Sequence, residues 1–583
     1  METIASPAVS NIPAAPGAAE SSAPESSAPE SSSAAPFSLY ASAGAAASLL
    51  AGCGGGGGGS APSTSIAAAS SPDAPTAKMT DAAAARFLAQ ASMGATREQI
   101  ARVIALGYEG WLDEQFNAAP STTRWDALIA DGYSADTNRN GQAGFDNCAW
   151  RKLIASPDTL RQRVTLALSE ILVVGIDGLT GNWRQFTGAA YLDLLEANAF
   201  GNYRTLLGAV SLSTAMGEFL TYRGSAKANP KTGALPDENY ARELMQLFTI
   251  GLVQLNLDGT PKLAQGRPQD TYGLDDITGL ARVFTGWDYD LGTSGTATPD
   301  YKRRPMIQAG TRHETGTKTF LGQTIAAGGG GMADLDAALD IIFAHPNMAP
   351  FVGRQLIQRL VTSNPSPAYV ARVAAVFNND GSGAKGNLRA VVKAILLDSE
   401  ARTASIAAGA GKQREPMLRF VAWARAFNAT SPTNAWAIGN TSDGASRLGQ
   451  SPLRSPSVFN FFRPGYVPPN SEIAAAGLVA PEFQLTNESS TVGYINFMQT
   501  VVSRGIGDVK ADYTALLALA DDAGALLNEL NTVLAAGQLS SATLNLLKPA
   551  LAGMATGSDA ARQNRVYAAL TLVLAAPEFI ILH

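Results

Sequence analysis

Apolar positions from Met79 onward recur mostly every three to four residues, which is the spacing of one face of an α-helix. Helix starts are marked as well. Thr96 and Gln99 form a capping box ahead of Ile100, with Gly107 as the expected stop, and Ser156-Pro157-Asp158 opens a helix over 160–174. Further helices are predicted over 236–250, 275–285, 366–377, 387–397 and in four stretches between 513 and 575.

Strand signals are few by comparison. Leu255–Tyr272 contains the turn dipeptide Asp258-Gly259, and Lys318–Leu321 is a short extended candidate. The pattern therefore predicts a mainly α protein, a multi-helix globular array with one or two small β-hairpins.

The first 78 residues have a different character. They are rich in Ala, Ser and Pro, and 1–77 contain no Lys, Arg or His, a composition typical of disorder. The apolar run 37–52 suits a secretory signal, although no basic segment precedes it. Leu50-Ala-Gly-Cys53 resembles the lipobox of bacterial lipoproteins, and six glycines follow it as a tether. That resemblance implies lipidation at Cys53 and a membrane anchor; the alternative is a low-complexity linker with a chance cysteine.

Residues 79–583 are predicted to form the helical domain. A Pro/Gly-rich stretch, Thr430–Pro469, is the best internal boundary. It divides the domain into possible subdomains 79–430 and 470–583, and it fits equally well as a long loop on one domain.

Composition narrows the function classes. The net charge of −6 disfavours a nucleic-acid binder, which usually presents a basic surface. Two cysteines and three histidines leave too few ligands for a cysteine-based zinc site or a three-imidazole metal site.

A polar stripe marks the helix after Pro236. Asn239, Arg242, Glu243 and Gln246 are spaced i, i+3, i+4 and i+7, so they are expected on one face. Such a stripe suits a pocket in which Glu243 is a general base beside Arg242. The alternative is a buried polar network in which Arg242 pairs with Asp275 or Asp276.

His313-Glu314 is the second candidate segment. Imidazole suits proton transfer near neutral pH, and His313, Glu314 and Glu243 together would supply an acid–base pair or ligands for a divalent cation. No other cofactor is indicated. The alternative is a loop histidine that holds a hairpin. We predict that His313 lies together with Asn239, Arg242 and Glu243 in the folded protein.

Several motifs resemble those of the bacterial domain-of-unknown-function family 1800. They span about Asp81 to the C-terminal region and comprise Arg86–Gly94, Gly107–Gln115, Asn198–Asn202, Glu238–Gly251, Leu280–Trp287, His313–Gly322 and Ser457–Phe462. The resemblance implies an exported, mostly helical bacterial protein with no assigned activity, and an exported partner of alkaline-phosphatase-like type. Many members carry Trp and His where this chain has Ala167–Glu170, so a metal role for those histidines does not carry over.

Two function classes follow. The first is a binding or assembly component of the cell envelope, a periplasmic or outer-membrane lipoprotein that acts with an exported partner. The second is an extracytoplasmic hydrolase-like enzyme that uses Glu243, Arg242 and His313, with Asn239, Gln246 and Glu314 as binding residues.

Overall fold

The computed structural model describes residues 78–405, 407 and 409–583. The signal-like run and Cys53 lie outside the described residues, so their roles stay predictions. Within the described part no helix is both long enough and apolar enough to cross a membrane.

Twenty-three α-helices carry the described part of the chain. In the first half they are α1 Asp81–Ala91, α2 Arg97–Asn117, α3 Arg124–Ala130, α4 Phe145–Ala155, α5 Thr159–Ser169, α6 Arg184–Ala197, α7 Tyr203–Ser211, α8 Thr214–Phe219, α9 Asn239–Glu243 and α10 Leu274–Ala281. In the second half they are α11 Gly331–Ala344, α12 Met348–Leu360, α13 Pro367–Asn378, α14 Leu388–Leu397, α15 Ser399–Arg402, α16 Pro416–Ala426, α17 Glu472–Ala475, α18 Glu488–Arg504, α19 Thr514–Leu517, α20 Ala523–Val533, α21 Ser541–Ala552, α22 Asp559–Ala575 and α23 Pro577–Ile580.

Short helical turns and strands complete the described elements. The 3₁₀ turns are Asp136–Asn138, Ile176–Gly178, Arg282–Phe284, Pro299–Lys302 and Pro481–Leu485, and one π-helix covers Leu244–Thr249. The strands are β1 Leu263–Ala264, β2 Arg267–Pro268, β3 Trp287–Asp288, β4 Ile307–Gln308, β5 Lys318–Phe320, β6 Gln323–Ile325, β7 Lys412–Gln413 and β8 Ile581–Leu582. The strands pair two by two, antiparallel, as β1-β2, β3-β4, β5-β6 and β7-β8. The predicted fold class, mainly α with small hairpins, is confirmed.

Local cap chemistry explains several helix starts. The side chains of Thr96, Ser366 and Asn387 each accept a hydrogen bond from the backbone N–H three residues on, which satisfies one otherwise unpaired donor of the helix start. The predicted stop at Gly107 is confirmed, because Gly107 has non-helical backbone with φ +73° and α2 consists of two helices joined at this kink. The second of them runs to Asn117 and buries Trp111 and Phe116.

The helix predicted over 236–250 is only partly α-helical. After Glu243 the backbone widens into the π-helix, in which the N–H of Ile250 donates to the carbonyl of Met245 and the Thr249 hydroxyl to that of Leu244. Gly251 ends the segment at φ +71°, with the ring of Phe351 so close that a Cβ would lie 2.5 Å from it. The wider turn interrupts the helical spacing on which the polar stripe was predicted.

One apolar core joins the two predicted subdomains. The ring of Phe420 lies 5.3 Å from that of Trp150 and 5.9 Å from that of Phe497, measured between centroids. Residues from Ala84 to Phe579 belong to the same buried cluster. The division into 79–430 and 470–583 stays a prediction, since a shared core is compatible with two folding units.

Candidate functional site

The polar stripe is divided between surface and interior. Asn239 is exposed, Arg242 and Gln246 are half-buried, and Glu243 is buried. Arg242 pairs with Glu238, one turn earlier, at 3.3 Å. The alternative, in which Arg242 pairs with Asp275 or Asp276, is therefore wrong about the partner of Arg242, which is Glu238. Asp276 instead caps α10 and accepts from the N–H of Gly273 at 2.8 Å.

Glu243 is the stripe residue with unusual chemistry. Its Oε2 atom is buried and has no hydrogen-bond partner among the described residues. Burial raises the pKa of this carboxyl, and the nearby charge of Arg242 offsets only part of that effect. The hydroxyl of Tyr272 is likewise buried without a partner, and burial and the charge of Glu243 both raise its pKa. A buried carboxyl with a raised pKa is a candidate for proton transfer.

His313 lies in a buried cluster in which both of its ring nitrogens have partners. Its Nδ1 lies 2.8 Å from the carbonyl oxygen of Thr285, and its Nε2 lies 2.8 Å from Oδ2 of Asp334. Lys318 donates to the same Asp334 oxygen at 2.7 Å, and all three side chains are at most 1% exposed. This cluster fastens the segment before β5 to the first turn of α11.

Glu314 lies beside this cluster and serves the local turn. It accepts from the backbone N–H of Gly316 at 2.8 Å and lies 3.6 Å from the Arg282 guanidinium. The hydrogen bond from Gly316 and, to a smaller extent, the charge of Arg282 lower the pKa of this carboxyl. Glu314 is therefore held as a carboxylate.

The two candidate segments have separate partners. Helix α10 packs against both α9 and β5: Thr278 donates to Glu238 at 2.9 Å, and Gly279 lies so close to β5 that a Cβ would meet the Thr319 carbonyl. No hydrogen bond or ion pair in the described part of the chain joins Glu243 to His313. The catalytic and binding roles of these residues stay predictions.

A divalent cation was one expectation for these carboxylates. Among residues 78–405, 407 and 409–583 no group of three or more His, Cys, Asp or Glu side chains is arranged to hold a metal ion. Cys148 is a buried thiol whose pKa burial raises, and its Sγ lies 3.1 Å from the carbonyl oxygen of Phe145.

A second charged cluster, which the sequence reasoning missed, lies at the end of α5. Glu170 and Glu415 are both buried, 5% and 0% exposed, and lie close enough for their charges to interact. Burial and the neighbouring charge of Glu415 raise the pKa of Glu170. Burial also opposes the charged form of Glu415, but the cations Lys412 and Arg163 and a hydrogen bond from Gln450 at 2.7 Å help to lower its pKa. Of the two carboxyls, Glu170 is therefore the one that favours the protonated form.

Buried cations surround this carboxyl pair. Arg359 Nε lies 3.4 Å from Glu170 Oε2, and Lys412 Nζ lies 2.9 Å from Glu482 Oε1. Arg163 donates to the carbonyl of Arg359, while its Nε and Nη1 atoms have no partner among the described residues. We call these residues the Glu170 cluster: Arg163, Glu170, Arg359, Lys412, Glu415 and Glu482.

One signal for the Glu170 cluster was present in the sequence. Arg163 and Glu170 are seven residues apart in one predicted helix, so they share a face, and buried charges are rare unless paired. Their partners come from α12, from the segment before α16 and from the 3₁₀ turn Pro481–Leu485, and no spacing rule connects these distant segments.

The fold and its buried polar clusters define a mainly helical protein with ionisable groups built into the core. A family model described as a protein of unknown function, DUF1800, matches residues 86–581. The chain belongs to this family. No curated protein and no solved structure matches it.

Proposed function

We propose that this chain is a binding or assembly component of the bacterial cell envelope that acts with an exported partner of alkaline-phosphatase-like type. Export as a lipoprotein anchored through Cys53 is part of the proposal, and the lipobox-like run supports it. The observation that carries the binding role is a leucine-rich surface around Arg242.

This surface, the leucine face, consists of Leu235, Leu252 and Leu274 with the polar residues Glu238 and Arg242. Leu235, Leu252 and Leu274 are 76%, 55% and 65% exposed. Large exposed apolar side chains grouped in this way are typical of interaction sites rather than of inert surface.

Hydrogen bonds connect the segments that carry Leu252, Leu274 and Glu238, and Leu235 lies three residues before Glu238 in the sequence. The Thr278 hydroxyl lies 3.2 Å from the carbonyl oxygen of Leu274 and donates to Glu238, which pairs with Arg242. The carbonyl of Leu252 accepts from the N–H of Thr271, three residues before Leu274. An apolar patch with a half-buried arginine beside it has the composition of a binding hot spot.

Leu274→Asp tests this role, because it places a charge on the leucine face. Leu546→Asp is the matched control, since Leu546 on α21 is also exposed (74%). Wild type and Leu546→Asp are expected to co-purify an alkaline-phosphatase-like protein from the native envelope after crosslinking, as identified by mass spectrometry, and Leu274→Asp to lose it. Equal recovery with all three proteins would refute the binding role of the leucine face.

Export is tested separately with an alkyne fatty acid. Wild type is expected to incorporate the label, and Cys53→Ser to lose it. Label that persists in Cys53→Ser, or that is missing from wild type, would refute the lipoprotein part.

Glu243 supports a second candidate function, an extracytoplasmic hydrolase-like enzyme. A buried carboxyl without a partner and with a raised pKa is a candidate general base. In this candidate Arg242 orients an anionic group and His313 moves a proton, although both ring nitrogens of His313 already have partners. The enzyme requires that Glu243→Gln abolish the phenotype of the folded protein, whereas a binding component keeps it.

A further inference from the structure

A small cavity lies where α1, α16 and the turn after α20 meet. Its volume is about 30 Å³, which is room for about two water molecules. Most of the wall is apolar, formed by Ala85, Ala89, Met93, Leu418, Ala422 and Val533. Arg414 is the one charged residue among the described residues that line it. The cavity is therefore a small apolar space with a single cation in its wall.

The guanidinium of Arg414 has one edge without hydrogen-bond partners. Its Nη1 donates to the carbonyl of Leu534, also in the wall, at 2.8 Å, whereas its buried Nε and Nη2 have no partner among the described residues. Arg414 is only 7% exposed. The N–H groups of Nε and Nη2 point the same way in the guanidinium plane and form the fork with which arginine binds anions. Buried donors are nearly always paired, so a free fork beside a cavity indicates a missing acceptor.

The positive charge of Arg414 also lacks a counter-charge. Neither Arg414 nor the nearby Arg419, which is likewise buried and lies over the ring of Tyr494, forms an ion pair in the described part of the chain, and no carboxylate raises the pKa of either group. Burial and the like charge of Arg419 lower the pKa of Arg414 to about 10, so it stays a cation at neutral pH. The carboxyl of Glu415, the next residue, accepts from Gln450 in the Glu170 cluster instead.

Water alone does not meet both requirements. Water molecules in the cavity would accept hydrogen bonds from the fork but would leave the two buried guanidinium charges uncompensated. Charges inside a protein are normally paired, because an isolated charge is costly away from bulk solvent. An anion satisfies the fork and supplies the counter-charge, and the volume of the cavity limits it to the size of a halide ion.

We propose that this cavity binds one monovalent anion of the size of chloride, held by the Nε–H and Nη2–H groups of Arg414. The rest of its surface packs against the apolar wall at Ala89, Met93 and Ala422. The ion then joins α1 to α16 and to the turn after α20. The two helices already approach closely here, since a Cβ on Gly94 would lie 2.7 Å from the Cα of Ala422.

Chloride is the probe, and gluconate is the matched anion that is too large for the cavity. In chloride NMR of the full chain, titrated at constant ionic strength, the bound fraction derived from the line width is expected to saturate. Chloride should also raise the melting temperature above that in gluconate, because a ligand that binds the folded state stabilises it. Absence of saturable chloride binding to wild type would overturn the proposal and leave water as the occupant.

Arg414→Gln locates the site, because it removes the fork and its charge. At least a tenfold loss of chloride affinity is expected. Arg425→Gln is the matched control on α16, where the guanidinium donates to the carbonyls of Leu153, Ile154 and Ser156. Arg425 does not line the cavity, so this variant should bind chloride like wild type.

Ala89→Leu is the second variant should Arg414→Gln fail to fold. Ala89 is half-buried in the cavity wall, so a leucine there fills the space and leaves Arg414 in place. It too should lose at least tenfold in chloride affinity. Wild-type affinity in a folded Arg414→Gln or Ala89→Leu protein would overturn the assignment of the site. None of these substitutions lies in the leucine face, so the outcome is independent of the proposed partner binding.

Discussion

The carboxyl of Glu243 is buried without a hydrogen-bond partner, and this determines how a substitution there changes the stability of the protein. Burial raises the pKa of its carboxyl, so the folded protein holds the proton more tightly than the unfolded chain. Its contribution to stability is complete below the unfolded value of 4.5 and is lost as the pH rises through the raised value. Above that window the charged carboxylate is a cost to the folded state.

At pH 8, Glu243→Gln is therefore expected to leave the free energy of unfolding unchanged or to raise it by up to about 1 kcal/mol. The melting temperature should stay the same or rise accordingly. The difference from wild type should close near pH 4.5, where both side chains are neutral. Thermal melts of the two proteins between pH 4.5 and 8 measure this.

Glu238→Gln is the control for that experiment, since Glu238 is half-buried and forms a surface pair with Arg242. It should change stability by less than about 1 kcal/mol at either pH. A fall of several degrees for Glu243→Gln at pH 8 would contradict the absence of a partner, because it would reveal a broken buried ion pair.

Among the elements, the first turn of α11 depends on one carboxylate. Asp334 accepts from His313 and Lys318, both buried, and so joins α11 to the segment that carries β5. Asp334→Asn leaves the Lys318 cation without its counter-charge and is expected to cost about 3–5 kcal/mol. Urea unfolding monitored by circular dichroism measures the loss.

Asp336→Asn is the matched control two residues along the same helix. Asp336 is exposed and pairs with Arg204 at 3.2 Å, so its loss should cost less than about 1 kcal/mol. Equal stability of the two variants would show that the His313 cluster does not hold α11 in place.

Helix starts were predictable because their chemistry is local. Ser366-Pro367 and Asn387 act within one turn, and the structure has α13 and α14 where the sequence predicts them. The π-helix was not predictable, since α-helix and π-helix share the same apolar pattern at this length, and the packing of Gly251 against Phe351 follows only from the fold.

The candidate sites also combine features that were predictable from the sequence with features that follow only from the fold. The stripe at Glu243 is visible in the spacing, but the burial of that carboxyl is not. The Glu170–Glu415 pair joins residues 245 positions apart, so only the folded chain brings them together.

For the whole molecule, the last described strand is a long-range fastening. Strand β8 pairs with β7, with Leu582 opposite Lys412 of the Glu170 cluster, and the guanidinium of Arg86 on α1 donates to the carbonyl of His583. Leu582 is 2% exposed. Three distant parts of the sequence thus meet at one place.

Leu582→Ala is expected to lower the free energy of unfolding by about 2–4 kcal/mol, because it removes buried apolar area where β7, β8 and α1 meet. Leu572→Ala is the control, at a leucine that is 37% exposed on α22, and it should cost less than about 1 kcal/mol. Differential scanning calorimetry compares the two, and equal losses would mean that the strand is not a fastening.

The junction of β7, β8 and α1 also affects the order in which the chain folds during synthesis. Arg86 and His583 are separated by 497 positions. Lys412 pairs with Leu582, which is translated 170 residues later. A growing chain that has emerged only as far as α22 still lacks the partners of β7 and α1, so this junction forms only after residues 581–583 have been made. Until then the nascent chain stays open to chaperones, because contacts of such long range form only after the local helices.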